Sequence, residues 1–327
     1  MVAEPLSPLS VQDWPKLSLG VSACLMGEEV RFDGGHQKDR FLLGPLAEFA
    51  TYSKVCPEVE AGLGTPRPTA RLQRSEDGPR FVIPSTGEDL TDLMEDFSRD
   101  RVGAIGVEEL DGFILKRSSP SCGISRVKLY TKSGSNKDGV GVFAAALKRQ
   151  DPLLPMEEDG RLNDVGIREH FLTRVFCRAR WRAFTSRRRR PGELVQFHQV
   201  HKLLLQTYDD QKYRALGRIV ADLKSRPLEE SIAEYGELFQ RTLKERPSRG
   251  RNVNALQHLA GYLKTELSGP ARRRLNATIL SYQRGDMPIE VPLELLRYHF
   301  DVLHCEYPRD QIFLEPYPIE LATRWSG

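Results

Sequence analysis

No run of eighteen apolar residues occurs in this chain, and no basic stretch leading into an apolar one opens it. A membrane-spanning helix and a secretory signal are therefore not expected. The expectation is a soluble, cytoplasmic protein whose residues 1–15 form a loose leader. Cysteine is scarce: five in 327 residues, an odd number, with no Cys-x-x-Cys pair among them. A disulfide framework is excluded, and in a reducing compartment grouped thiols point to metal binding or catalysis. Internal repeats are absent, as is low-complexity sequence apart from one arginine run. Charge imbalance is also slight, at +3 overall. Its distribution says more. Residues 1–150 hold 19 Lys and Arg against 21 Asp and Glu, and the remainder 29 against 24, so the basic excess lies in the second half.

What is present is a recurring pattern of a strand running into a cysteine. Leu17 to Ser22 alternates as a strand does and runs into Ala23-Cys24-Leu25. Lys54-Val55 runs into Cys56-Pro57-Glu58. Phe113, Ile114 and Leu115 run into a turn-forming tail, Lys116 to Gly123, that contains Cys122 between Ser121 and Gly123. In an open parallel sheet the three cysteines meet at the carboxyl edge, where such folds bind ligands.

The other elements follow the same logic. Arg40–Thr51 reads as a crossover helix with a kink at Gly44-Pro45, Phe81–Ile83 as a strand, Thr91–Val102 and residues 138–149 as helices. Strand and helix alternate, which predicts an α/β domain with a mostly parallel sheet. Pro, Gly and acidic residues cluster at 150–163 and mark a boundary. Beyond it the pattern is helical: Leu194–Tyr208, then Ile232, Tyr235, Phe239 and Leu243, then Val253, Leu256, Leu259, Leu263 and Leu267 after an Asn252 cap. Pro270 and Pro292 stand where helices start and Gly285 where one ends. The second domain is expected to be an all-α bundle.

From the residues alone, Cys24, Cys56 and Cys122 are either a shared metal site or ordinary small core residues. Three thiolates suit a catalytic zinc or a [4Fe–4S] cluster with one iron free. Cys177 and Cys305 fall within helical patterns and are expected in the core. Glu58 is a general base beside the metal or a solvated loop residue. Lys116, Ser119 and Ser121 orient a substrate, or the serines merely hold a turn. Asp33 is a candidate substrate contact whose default is an Asx turn. His198 and His201, three apart on a helix, are expected to make ordinary polar contacts.

The segments VSACLMGEEVRFDGG, VCPEVEAGLGTPRP and LKRSSPSCG resemble the three signature blocks of the TudS-type thiouracil desulfidases, over about residues 16–155. Residues 164–321 resemble a YbgA-type helical domain through LVQFHQVHKLLLQTYD, NVNALQHLAGYLK and VPLELLRYHF. The fused arrangement is similar to desulfidases that remove sulfur from 4-thiouridine in transfer RNA. The resemblance implies a [4Fe–4S] cluster on Cys24, Cys56 and Cys122 with one open iron, and a thiolated uracil as substrate. It implies Glu58 as the base that activates water, with Lys116, Ser119 and Ser121 acting around the substrate. Arg117 and Ser118 stand in the reverse of the usual family order and carry no role.

Beside such a site, Arg174, Arg178, Arg187, Arg188, Arg189 and Arg190 become candidate contacts for RNA phosphates. Phe176, Trp181 and Phe184 among them are expected on the buried face of the helix. Two alternatives remain: a desulfidase of free thiouracil or thiouridine with a structural helical domain, and a zinc-containing nucleic-acid-binding protein without enzymatic activity.

Overall fold

The computed structural model describes residues 14–322, so the leader expected at 1–15 falls, except for its last two residues, outside the described residues. Nine strands are described: β1 Leu17–Ser22, β2 Ala50–Val55, β3 Arg71–Ser75, β4 Gly78–Ile83, β5 Glu88–Asp89, β6 Gly112–Leu115, β7 Val127–Thr131, β8 Gly134–Gly139 and β9 Met156–Glu158. One sheet has the order β2-β1-β6-β9 and is parallel throughout. Its middle strands are the apolar ones. All four residues of β6 are buried, as are five of the six in β1, which a parallel strand covered on both faces requires. Phe113 of β6 meets Phe143 edge to face at 5.7 Å, within a core that also takes Val55, Leu115 and Cys122.

The framework divides into two compact units, Pro15–Arg182 with the short helix Ile319–Ala322, and Ala183–Pro318. In the first, the α/β expectation holds, but a second sheet accompanies the parallel one. Its order is β5-β4-β3-β7-β8, with β3 and β7 parallel and the other pairs antiparallel. Phe81–Ile83 lies in β4, and the helix at Thr91 runs on to Ile105, where Gly106 ends it in the left-handed region.

Two expected helices are corrected. The stretch 40–51 is not one helix but a turn of helix at Arg40–Leu43, a 3₁₀ turn at Pro45–Glu48, and β2 from Ala50. Pro45 has no N–H to continue the first helix, and Gly44 before it leaves the helical region. The helix expected from 138 begins at Val142, because Asp138 and Gly139 belong to β8. The stretch 150–163, expected to mark a boundary, holds β9, the fourth strand of the parallel sheet, and the 3₁₀ turn Asp159–Asn163.

The helix Val165–Thr185 carries the chain from one unit into the other. The second unit is all helical, with helices Pro191–Tyr208, Asp210–Ala221, Leu228–Thr242, Arg249–Tyr262, Gly269–Arg284 and Glu290–Val302. The spaced residues Tyr235, Phe239, Leu243, Val253, Leu256 and Leu259 are buried. Gly285 closes its helix in the left-handed region, and Pro270 sits in the first turn of the same helix. The cap expected at Asn252 lies instead at Ser248, whose hydroxyl accepts from Arg251 N–H, while Asn252 donates to the Tyr282 hydroxyl. No helix among the described residues is long and apolar enough to cross a membrane.

Candidate functional site

Cys24 lies in the 3₁₀ turn Ala23–Met26 that follows β1, Cys56 caps the short helix Pro57–Glu60 after β2, and Cys122 lies in the loop after β6. Because β2, β1 and β6 are adjacent and parallel, all three cysteines leave the same edge. Their thiols are near enough to sense one another. Burial pushes the Cys24 thiol up to about 11, a charge on Cys56 adds to this, and Lys116 and Arg31 oppose it. Burial also raises Cys56 and, most of all, Cys122, where a hydrogen bond with Ser22 works the other way. No three His, Cys, Asp or Glu side chains among the described residues converge as a single metal ion requires.

Glu58 faces this group and is held on both oxygens. Ser121 donates its hydroxyl to Oε1 at 2.7 Å. Arg67 donates Nε to Oε2 at 2.9 Å and adds Nη2 as a second bond, forming a two-point clamp. Arg67 is itself fixed, donating to the carbonyls of Val30 at 3.0 Å and Gly64 at 2.9 Å. The sequence reading gave Arg67 no role, although it stands inside the TPRP segment. Glu60 does different work: it accepts the Cys56 backbone N–H at 2.9 Å and pairs with Arg101 at 2.7 Å. Its carboxylate is used in holding the cysteine turn.

The third cysteine loop is tied from below by two buried acids that sequence reading classed as boundary residues. Asp159 pairs with Lys116 Nζ at 2.5 Å and accepts Arg117 N–H at 2.8 Å. Glu158 accepts Ile124 N–H at 2.8 Å. Ser119 Oγ accepts the N–H groups of Ser121 and Cys122, so it serves the turn itself. The helix Val142–Gln150 closes on the same loop through Phe143 N–H to Ser121 O at 2.9 Å. That approach needs Gly141, since a Cβ there would stand 2.4 Å from Ser121 O.

The remaining candidates scatter. Asp33 makes the default Asx turn, accepting Gly35 N–H, and pairs with Arg31 at 3.5 Å. Arg178 is corrected as a phosphate contact. It is buried, ion-paired with Asp151 at 2.8 Å and bonded to the carbonyls of Leu110 and Val107. Arg174 donates to Leu153 O at 3.2 Å. Arg187, Arg189 and Arg190 gather on one carboxylate, Glu193, and Arg188 is exposed. Phe176, Trp181 and Phe184 are buried, as is Cys177, while Cys305 is half-buried. His201 is buried against Phe197, and His198 bonds the Tyr235 hydroxyl at 3.1 Å. The two histidines make the ordinary contacts expected of them.

Known proteins resemble two separate parts of the chain. The profile of 2-thiouracil desulfurase matches residues 19–159, and that of a protein of unknown function (DUF1722) matches residues 202–318. The uncharacterized protein YbbK of Bacillus subtilis (strain 168) is 32% identical over 150 residues, which span 44% of this chain and 97% of that protein. The uncharacterized protein YbgA of Escherichia coli (strain K12) is 27% identical over 137 residues, 42% of this chain and 81% of its own. A solved structure of the [4Fe-4S]-dependent thiouracil desulfidase TudS is 32% identical, with 45% of this chain and 93% of that one covered and a TM-score of 0.37. Through its cysteine-bearing α/β part the chain belongs to the 2-thiouracil desulfurase family, and it carries a DUF1722 (YbgA-like) domain behind it.

Proposed function

We propose that this protein is an iron–sulfur desulfidase that exchanges the sulfur of a thiolated uracil for oxygen, with 4-thiouridine in transfer RNA as its substrate. The observation that carries the reading is one sheet edge bearing three mutually sensed thiols, opposite a carboxylate held by Ser121 and Arg67. The donor set fits a [4Fe–4S] group on Cys24, Cys56 and Cys122. Burial and mutual repulsion penalise three thiolates together, and a cationic cluster supplies the missing countercharge. Thiolates of a cluster sit on separate irons, so they need not converge on one point as zinc ligands do. Three ligands leave one iron without a protein thiolate.

When bound, the cluster supplies a Lewis acid for the soft thiocarbonyl sulfur. The protein's own groups do the rest. Glu58, aimed by its two partners, takes a proton from the water that attacks the carbon bearing sulfur. Lys116, held by Asp159, donates to the ring or the departing sulfur. Ser121 keeps the carboxylate in line, and Ser119 keeps the loop. One water enters and one hydrogen sulfide leaves, so the exchange is a hydrolysis with no net electron transfer.

The test is purification without oxygen. The expected sample is brown, contains about four irons and four sulfides per chain, and removes sulfur from thiolated transfer RNA. Cys24→Ser is expected to lose the iron. An active, iron-free protein overturns the reading. Good turnover of free thiouracil with thiolated RNA untouched overturns the RNA part alone.

A further inference from the structure

Resting on the reading that the substrate base lies in RNA, we infer that Lys202, Tyr307 and Tyr262 of the helical unit form a contact for a single-stranded segment of that RNA, one phosphate and its neighbouring base. The arginine run 187–190 is largely engaged, three of its members sharing Glu193. Lys202 is different. Its ammonium has no carboxylate within ion-pair distance among the described residues. Its neighbours are hydroxyls: Tyr307 at 2.5 Å, with Tyr262 and Tyr213 also in its field.

The rings around it are open. Tyr307 is 40% exposed and Tyr262 38%, against 2% for Tyr208 of the same unit. Their centroids are 5.8 Å apart at 63°, His258 extends the row at 5.6 Å from Tyr262, and Lys202 lies 5.2 Å from the Tyr307 ring. The Lys202 ammonium donates to the Tyr307 hydroxyl, and the Tyr307 ring rests edge-on against Tyr262. An unneutralised cation beside solvent-facing aromatic planes matches a ligand that alternates anions with flat bases. An acidic peptide would use the charge and leave the rings idle.

The test is binding of the full-length, cluster-loaded protein to a fluorescein-labelled oligouridylate and to unmodified transfer RNA, at several salt concentrations. Lys202→Gln is expected to flatten the salt dependence by about one unit of slope. Tyr262→Ala is expected to weaken binding about tenfold with the slope unchanged, and Lys202→Arg to restore the slope. Release of sulfide from free thiouracil should be the same in all of them, and helical circular dichroism and melting equal to the parent's show that the helical unit of each variant is folded. If the parent binds RNA and the variants bind it equally well, the patch is wrong and the RNA reading stands. If the parent binds neither RNA, both fall. Displacement of the oligouridylate by polyglutamate at equal charge concentration also overturns the proposal, in favour of an acidic protein partner.

Discussion

Ser121 donates its hydroxyl to Glu58 across 2.7 Å, although 63 residues separate them in the chain. One stands beside the Cys122 turn and the other two residues after Cys56, so the bond ties two cysteine loops together. With Arg67 on the other oxygen, the carboxyl plane is set from both sides. In the role proposed for it, a carboxylate held in this way need not be reoriented during turnover.

Glu58→Gln is expected to keep the fold and the iron content while turnover falls by about 10²–10⁴, the usual contribution of a general base. Sulfide release by an oxygen-free sample, with iron measured on the same sample, checks it. A variant with full activity removes Glu58 from the mechanism.

Asp159→Ala leaves the Lys116 ammonium half-buried without its partner and the Arg117 N–H without its acceptor. Breaking such a pair from one side destabilises by roughly 3 kcal/mol. Urea unfolding at neutral pH should show it as a lower midpoint. Asp159→Asn, which can still accept the Arg117 N–H, should lose less.

Gly141→Ala places a methyl group 2.4 Å from Ser121 O and 2.8 Å from Cys122 N. Those contacts are with backbone, so the loop has to move, at a cost of about 1–3 kcal/mol. A lower melting temperature with reduced iron content is the expected result. Unchanged values of both would mean that the helix Val142–Gln150 does not set the position of Cys122.

Acid should loosen the helical unit in two steps. Burial, with Lys202 nearby, lowers His198 to about 4 from its usual 6.5. The unfolded chain therefore binds this proton first, and stability is lost as pH falls from about 6.5 towards 4. Glu193 is lowered to about 2, chiefly by the Arg190 backbone N–H and then by Arg189 and Arg187. Its contribution is complete above pH 4.5 and is lost between there and 2. Urea midpoints followed from pH 8 to 3 test this, and His198→Gln should remove the upper step only.

The elements that sequence patterning made legible are those whose cause is local. A strand running into a cysteine turn could be read three times, because strand and turn preferences act over a few residues. Tyr235 and Phe239, or Gly285 after its helix, were read for the same reason. What escaped depends on distant partners. Asp159 and Glu158 have the composition of a linker, and only the pairing of β6 with β9 brings them under the Cys122 loop. Arg178 has the look of a phosphate contact, yet its guanidinium is satisfied by Asp151 and two carbonyls far from it in sequence.

By itself the sequence determined which residues are candidates for the chemistry: the thiols, the carboxylate and the lysine, together with most of the strands and helices on which they ride. The tertiary structure alone decided which of these meet. Adjacent parallel strands send their loops to one edge, and buried charges accept only neighbours that neutralise them. Both requirements act between residues tens of positions apart, where no local pattern records them.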